Sequence, residues 1–139
     1  MNRNDFQNLA QIRIDEAEAL IAAGLYSGAF YLAGYAVEFG LKACISKQTR
    51  QYDFPDKSRA NESYSHSLKQ LSKVAELNQQ QIDSEEKMNP GFAANWGHTA
   101  GRWSEETRYQ QWSEIETKQL FKAISDPTNG VLQWVKKHW

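Results

Sequence analysis

The sequence lacks most of the residues on which disulfide-rich and metal-binding domains depend. It has a single cysteine, Cys44, so a disulfide framework is excluded and a reducing compartment fits. His66, His98 and His138 are too far apart in the chain for a metal-ligand motif. The chain also has no phosphate-binding loop, dinucleotide fingerprint or Ser-His-Asp signature. We therefore expect no metal and no cofactor, and Cys44 should be a small buried side chain.

An excess of charge of one sign is missing as well. The chain has 16 Lys and Arg against 17 Asp and Glu, and the two signs are spread evenly along it. Such a chain is not expected to bind nucleic acid strongly through phosphates alone. The N-terminus has no apolar signal-peptide core, and the most apolar stretch, residues 26–45, contains Glu38 and Lys42. We expect a cytoplasmic protein that does not span a membrane.

Two helices are predicted in the first third of the chain. Residues 4–22 repeat apolar side chains at helical spacing, and Gly24 stands where a helix C-terminal cap is expected. Residues 26–45 predict the central helix, because apolar side chains cover most of its sides. The connection is so short that the two helices should be antiparallel neighbours.

The middle of the chain predicts a loop and a third helix. Residues 48–65 show no periodicity and predict a long loop. Ser65 or Ser67 can cap the third helix, which the "MNPG" of residues 88–91 ends. Its expected inner face is Leu68, Leu71, Ala75 and Ile82.

The last third predicts shorter elements. Residues 92–112 indicate a short helix or turns, and the capping box "SEIE" at 113–116 begins a helix that reaches Ala123 or Ile124. Asp126 and Pro127 then predict the start of a last helix. Its expected buried face is Val131, Leu132, Val135 and Trp139. The 139 residues therefore predict one all-α domain, an up-and-down antiparallel bundle with a C-terminal helical extension over residues 126–139.

Aromatic residues are concentrated near the C-terminus. All five tryptophans fall in the last third of the chain: Trp96, Trp103, Trp112, Trp134 and Trp139. Tryptophan supplies large contact area to cores and subunit contacts, and this is the favoured interpretation. Stacking on nucleobases is the alternative.

A polar stripe follows one side of the predicted second helix. It consists of Tyr31, Gly34, Tyr35, Glu38 and Lys42. The stripe is either a helix face in a cleft or at a dimer contact, or the one solvated edge of a core helix. The small residues in the same helix indicate that neighbouring backbones approach it closely.

Four segments of the sequence resemble the HEPN domain family: "GLYSGAFYLAGYAVEFGLKACI", "SHSLKQL", "RWSEETRY" and "NGVLQWVKKHW". The family pattern has a glycine-bearing second helix that ends in Ala-Val-Glu…Leu-Lys-Ala. A His followed by Leu opens its next helix, and an Arg-Tyr pair comes later. The matching residues here are Ala36, Val37, Glu38, Leu41, Lys42, Ala43, His66, Leu68, Arg108 and Tyr109. The resemblance implies an up-and-down bundle of four to five helices, usually a homodimer. Some members of the family act in toxin–antitoxin or defence systems, often beside a minimal nucleotidyltransferase.

Some HEPN proteins cut RNA without metal, with an Arg and a His that have four to six residues between them, near the start of a late helix. Arg59 and His66 are the candidates with this spacing here. They lie before the third helix, where the resemblance places the His-Leu pair, and no His follows Arg108 at the required distance. We therefore expect His66 to be a helix-start residue and Arg59 and His66 not to form a catalytic pair.

Two functions follow from the sequence. The first is a non-catalytic HEPN-type module that dimerises and binds a nucleotidyltransferase-type protein, RNA or a nucleotide; the second is a metal-independent ribonuclease. The candidate binding or structural site consists of Tyr31, Tyr35, Glu38, Lys42, Trp103, Arg108 and Tyr109. Within it, Glu38 is expected to pair with Arg108, with Lys42 alongside, because a buried carboxylate needs a cation or several donors.

Overall fold

The computed structural model describes residues 1–49, 54 and 56–139, and these contain eight α-helices. In chain order they are α1 (Arg3–Ala22), α2 (Tyr26–Gln48), α3 (Lys57–Ser63), α4 (Leu68–Val74), α5 (Gln79–Met88), α6 (Phe92–Arg102), α7 (Glu114–Ser125) and α8 (Val131–Lys136). A 3₁₀ helix, Glu105–Tyr109, lies between α6 and α7. No strand occurs among the described residues, and the predicted all-α class is confirmed.

The predicted pairing of α1 with α2 is confirmed. Gly24 has a φ of +76°, and its N–H donates to the Ile21 carbonyl while the Leu25 N–H donates to the Leu20 carbonyl. This pair of hydrogen bonds is typical of a helix that ends at a glycine, as expected at this position. Phe6, near the start of α1, packs against Phe39, in the second half of α2, so the helices are antiparallel.

Helix α2 is the central helix of the bundle, as its apolar sides predicted. It contacts α1, α4, α7, α8 and the 3₁₀ helix, and twelve of its 23 residues are buried. Its glycines explain the close packing: a Cβ added to Gly34 would lie 2.1 Å from the Trp103 indole, and one added to Gly40 would lie 2.8 Å from Val135 Cγ1. The small residues of α2 therefore leave room for side chains of neighbouring elements.

The expected loop over residues 48–65 is only partly right. Gln48 belongs to α2, and α3 occupies residues 57–63. The Asp56 carboxylate accepts hydrogen bonds from the backbone N–H groups of Ser58 and Arg59, which makes it the N-cap of α3. The part of the expected loop at residues 50–53 and 55 lies outside the described residues.

The predicted third helix is divided into α4 and α5. Ser67, one of the two proposed caps, is the N-cap of α4, and α5 ends at Met88, the first residue of the expected break. The division falls at Glu76, which has a φ of +61° and ends α4. Asn78 then caps α5 through Gln81 N–H. The predicted inner face of Leu68, Leu71, Ala75 and Ile82 is buried.

The capping box of α7 is confirmed, and the start of α8 needs a correction. The Ser113 hydroxyl accepts from Glu116 N–H, and the Glu116 carboxylate accepts from Ser113 N–H. Asp126 does not begin α8; its Oδ1 accepts from the N–H groups of Thr128 and Asn129, in a turn that precedes α8. Three of the four predicted inner residues, Val131, Leu132 and Val135, are buried, and Trp139 is partly exposed.

The tryptophans pack inside the protein. Trp96, Trp103 and Trp134 are buried, and the Trp112 ring stacks on Phe30 with a centroid distance of 3.8 Å. The packing interpretation therefore holds for these four side chains.

Cys44 is also buried, and burial raises the pKa of its thiol to about 12, so the thiol stays protonated at neutral pH. Among the described residues, none of the helices is sufficiently long and apolar to cross a membrane.

Candidate functional site

A fully buried carboxylate lies on α2, within the predicted polar stripe. The Glu38 side chain is 0% exposed. Its Oε1 accepts a hydrogen bond of 3.0 Å from Lys42 Nζ, one helical turn later, and lies 2.9 Å from His66 Nδ1. Its Oε2 is buried without a hydrogen-bond partner in the described part of the chain. Glu38 therefore ties the segment before α4 to the middle of α2.

His66 lies between two carboxylates. It comes directly before Ser67, the N-cap of α4, so the start of that helix positions its ring. While Nδ1 faces Glu38, Nε2 lies 3.6 Å from Glu105 Oε2. The His66 side chain is 40% exposed, and the Glu105 side chain is 35% exposed. The ring thus connects a buried acid to a partly exposed one.

The predicted pair of Glu38 with Arg108 is wrong. Arg108 Nη1 lies 3.5 Å from Glu105 Oε1, and its guanidinium lies over the Tyr109 ring at 4.7 Å from the centroid. The 3₁₀ helix turns Glu105 toward His66 and leaves Arg108 on the surface, where its side chain is 42% exposed. Arg108 therefore pairs with Glu105, which faces His66, and not with Glu38.

Aromatic side chains form the wall beside these polar groups. Trp103 Nε1 donates a 2.9 Å hydrogen bond to the Tyr31 carbonyl, and the Trp103 ring contacts the rings of Tyr31 and Tyr35. Burial, followed by the nearby Glu38 carboxylate, raises the pKa of Tyr35. The phenol of Tyr35 therefore stays protonated and neutral through the physiological pH range.

We call this arrangement the Glu38 site. It consists of Tyr31, Tyr35, Glu38, Lys42, His66, Trp103, Glu105, Arg108 and Tyr109. The structure thus brings the whole predicted set together. Sequence reasoning missed Glu105, and it did not connect His66 with this set. Ser67 indicates that His66 lies at the start of a helix, and Glu105 precedes Arg108 by one helical turn, but neither signal shows that these residues lie near Glu38.

Arg59, the second catalytic candidate, contacts a different group from His66. It belongs to α3, and its Nη2 donates a 2.6 Å hydrogen bond to Gln48 Oε1. Gln48 Nε2 in turn donates to the Ala75 carbonyl. Arg59 therefore helps to hold α3 on the end of α2 and the end of α4.

The charges of the Glu38 site balance one another. Lys42 and Arg108 are opposed by Glu38 and Glu105, so the site has no surplus positive charge for a phosphate. No group of three or more His, Cys, Asp or Glu side chains in the described ranges is placed to hold a metal ion. The arrangement can orient an imidazole and accept hydrogen bonds from a donor.

No protein-family model, curated protein or solved structure matches the chain significantly.

Proposed function

We propose that the protein is a non-catalytic HEPN-type helical module of the cytoplasm, which forms a homodimer and binds a partner. The partner is a nucleotidyltransferase-type protein, with RNA or a nucleotide as the alternative, and the setting is a toxin–antitoxin or defence system. The observation that carries the non-catalytic part of this proposal is the position of His66 between the carboxylates of Glu38 and Glu105.

That position is unfavourable for cleavage of an RNA backbone. A ribonuclease of this kind needs a cation to stabilise the phosphate charge beside the imidazole that moves the proton. Here each His66 ring nitrogen faces a carboxylate, at 2.9 and 3.6 Å, and a carboxylate repels a phosphate. The guanidinium of Arg59 is bound to Gln48 instead.

The surface beside the Glu38 site supports the binding part of the proposal. Tyr109 is 73% exposed, and the Arg108 side chain, which lies over its ring, is 42% exposed. Tyrosine and arginine are enriched among the residues that contribute most to protein–protein binding. The balanced charge of the chain, −1 overall, favours a protein partner over RNA.

One observation favours the alternative function, a metal-independent ribonuclease. A buried carboxylate at hydrogen-bond distance from Nδ1 is the arrangement that orients an imidazole for general base catalysis. Glu38 is placed in this way toward His66, and the ring is partly exposed. The alternative requires that Glu105 moves away from Nε2 when RNA binds.

An RNA-cleavage assay in the presence of a chelator separates the two functions. Wild-type protein, His66→Ala and the matched control His98→Ala are incubated with single-stranded RNA. We expect no cleavage by any of them. Cleavage by the wild type that His66→Ala abolishes and His98→Ala retains would establish the ribonuclease and overturn the proposal.

The dimer and the partner surface need separate measurements. Light scattering is expected to give twice the mass of the chain at micromolar concentration, and a monomer would contradict the proposal. Tyr109→Ala and Arg108→Ala are expected to weaken binding to a co-expressed nucleotidyltransferase-type partner without unfolding the bundle. Lys118→Ala, on an exposed face of α7, serves as the control substitution.

A further inference from the structure

A cavity lies between the start of α1, the second half of α2 and α3. It encloses about 480 Å³, within the range of about 300–1,000 Å³ that is typical of small-molecule pockets. Its α1 and α2 walls include Phe6 and Phe39, whose ring centroids are 6.1 Å apart, and the buried Ile45. These walls favour a guest with an apolar body.

Lys42 is the one charged side chain among the described residues that line this cavity. The side chain is 15% exposed, and its ammonium donates one hydrogen bond in the described part of the chain, to Glu38 Oε1. An ammonium carries three N–H donors, so two remain for a group in the cavity. Because unmet donors of a largely buried charge are unfavourable, Lys42 favours a guest that presents an acceptor.

Two hydroxyl groups at the same cavity are available only as acceptors. Thr49 Oγ1 donates its hydrogen to the Ile45 carbonyl, and Ser63 Oγ donates to the Arg59 carbonyl. A hydroxyl has one hydrogen, so the lone pairs that remain on these two oxygens can only accept. A guest that matches them presents a donor beside its acceptor.

The charges at the cavity favour an uncharged guest. The Lys42 ammonium is already balanced by the buried carboxylate of Glu38, 3.0 Å away. A guest carboxylate would add a second negative charge near Glu38, and a guest ammonium would be repelled by Lys42. A primary amide has the acceptor and the donor that the cavity matches, and it carries no charge.

Helix α3 forms the third wall of the cavity, and none of its seven residues is buried. A helix of this length is not stable in water without tertiary contacts. Ala60 and Ser63 line the cavity, and Tyr64, which follows them, is 80% exposed. A guest in the cavity would therefore give α3 a surface to pack against.

We propose that this cavity binds a small apolar molecule with a primary amide as its head group. The amide oxygen accepts from Lys42 Nζ, and the amide N–H groups donate to the hydroxyls of Thr49 and Ser63. The apolar body lies against Phe6 and Phe39. The inference goes beyond the proposed function and depends neither on a dimer nor on a protein partner.

Isothermal titration calorimetry with three probes tests the head group. Phenylbutyramide, phenylbutyrate and phenylbutylamine share an apolar body, and their head groups are an amide, a carboxylate and an ammonium. We expect saturable binding of the amide, with dissociation constants about tenfold higher or more for the two charged probes. Absence of saturable amide binding, or binding of either charged probe as tight as that of the amide, would overturn the proposal.

Two matched substitutions test the location. Ala60→Trp fills the cavity from α3 and should raise the dissociation constant of phenylbutyramide by about tenfold or more, because the apolar body loses its place. Ala22→Trp, at an exposed position at the other end of α1, should leave it unchanged. Equal affinities of the wild type and Ala60→Trp would overturn the site. Lys42→Met should also weaken binding, but it removes the counter-ion of Glu38, so Ala60→Trp decides where Lys42→Met does not fold.

Hydrogen exchange gives an independent measurement on the wild type. Saturating phenylbutyramide should slow the exchange of the backbone N–H groups of α3, since the guest packs against this helix. The N–H groups of α7, which does not line the cavity, should exchange at an unchanged rate. Exchange of α3 that the bound amide does not slow would show that the molecule binds elsewhere.

Discussion

His66 Nδ1 lies 2.9 Å from Glu38 Oε1, and this contact joins the start of α4 to the middle of α2. The same oxygen accepts from Lys42 Nζ, whose side chain is 15% exposed. Glu38→Gln removes the charge that both groups face and leaves a largely buried ammonium without its counter-ion. We expect the free energy of unfolding to fall by about 1–3 kcal/mol, measured by urea denaturation.

Glu114→Gln is the matched control for this prediction. Glu114 and Lys118 have the same i,i+4 spacing as Glu38 and Lys42, but both side chains are about half exposed. Because solvent screens an exposed pair, Glu114→Gln should leave the unfolding midpoint nearly unchanged. Equal effects of the two substitutions would show that burial of Glu38 does not matter to the fold.

The two contacts of Glu38, with Lys42 and with His66, show how much of the site could be predicted from the sequence. Helical spacing alone places Glu38 and Lys42 one turn apart and identifies the stripe that carries them. It does not show where the chain returns to α2 after residue 56, and that return decides the partner of Glu38. The prediction therefore chose Arg108 for its bidentate geometry, whereas the fold places His66 at that position.

Two helix glycines are expected to respond in opposite ways to substitution by alanine. A Cβ at residue 34 would overlap the buried Trp103 indole, so Gly34→Ala should destabilise the fold by about 1–3 kcal/mol or more. A Cβ at residue 97 would meet nothing, so Gly97→Ala should stabilise the monomer by about 1 kcal/mol through helix propensity. Thermal unfolding of both variants under identical conditions, at a concentration where the chain is monomeric, checks the two signs. A destabilising Gly97→Ala would contradict the open space above that residue.

Two histidines make stability depend on pH. Burial, followed by Arg102, lowers the pKa of His98 from 6.5, and burial is also the main reason why the pKa of His138 is lowered. The fold thus favours the neutral rings, and the unfolded chain binds more protons below pH 6.5. Their contribution to stability is complete above about pH 6.5 and is lost as the pH falls through the lowered values.

Urea midpoints at pH 7.5 and pH 5.5 measure this loss. The wild type should be less stable at the lower pH, and a His98→Gln/His138→Gln double variant should lose part of that difference. If the double variant shows the full wild-type difference, groups other than these histidines cause it.

The helices that were predicted correctly have a local sequence signal, such as apolar periodicity or a capping residue. The periodicity of residues 4–22, Gly24 after it, and the Ser113–Glu116 capping box each specified a helix boundary that the structure confirms. The division between α4 and α5 was missed because Glu76 has the side chain of a helix interior, not of a helix end. Leu77, the next residue, is buried in the core, and this packing holds Glu76 in the left-handed region.

Glu76 and Gly24 occupy equivalent positions, and substitutions there should have opposite effects. Both follow a helix with positive φ, +61° and +76°, and in both the N–H of this residue and the N–H of the next residue bond back into the helix. Glu76→Gly removes the steric cost of a side chain at positive φ, and we expect it to stabilise the fold by about 0.5–1 kcal/mol. Gly24→Ala introduces that cost and should destabilise by about 1 kcal/mol. Urea denaturation of the two variants, with Glu76→Ala as the control that keeps a Cβ, measures the difference. A Glu76→Gly variant no more stable than Glu76→Ala would show that the left-handed conformation at this position carries no strain.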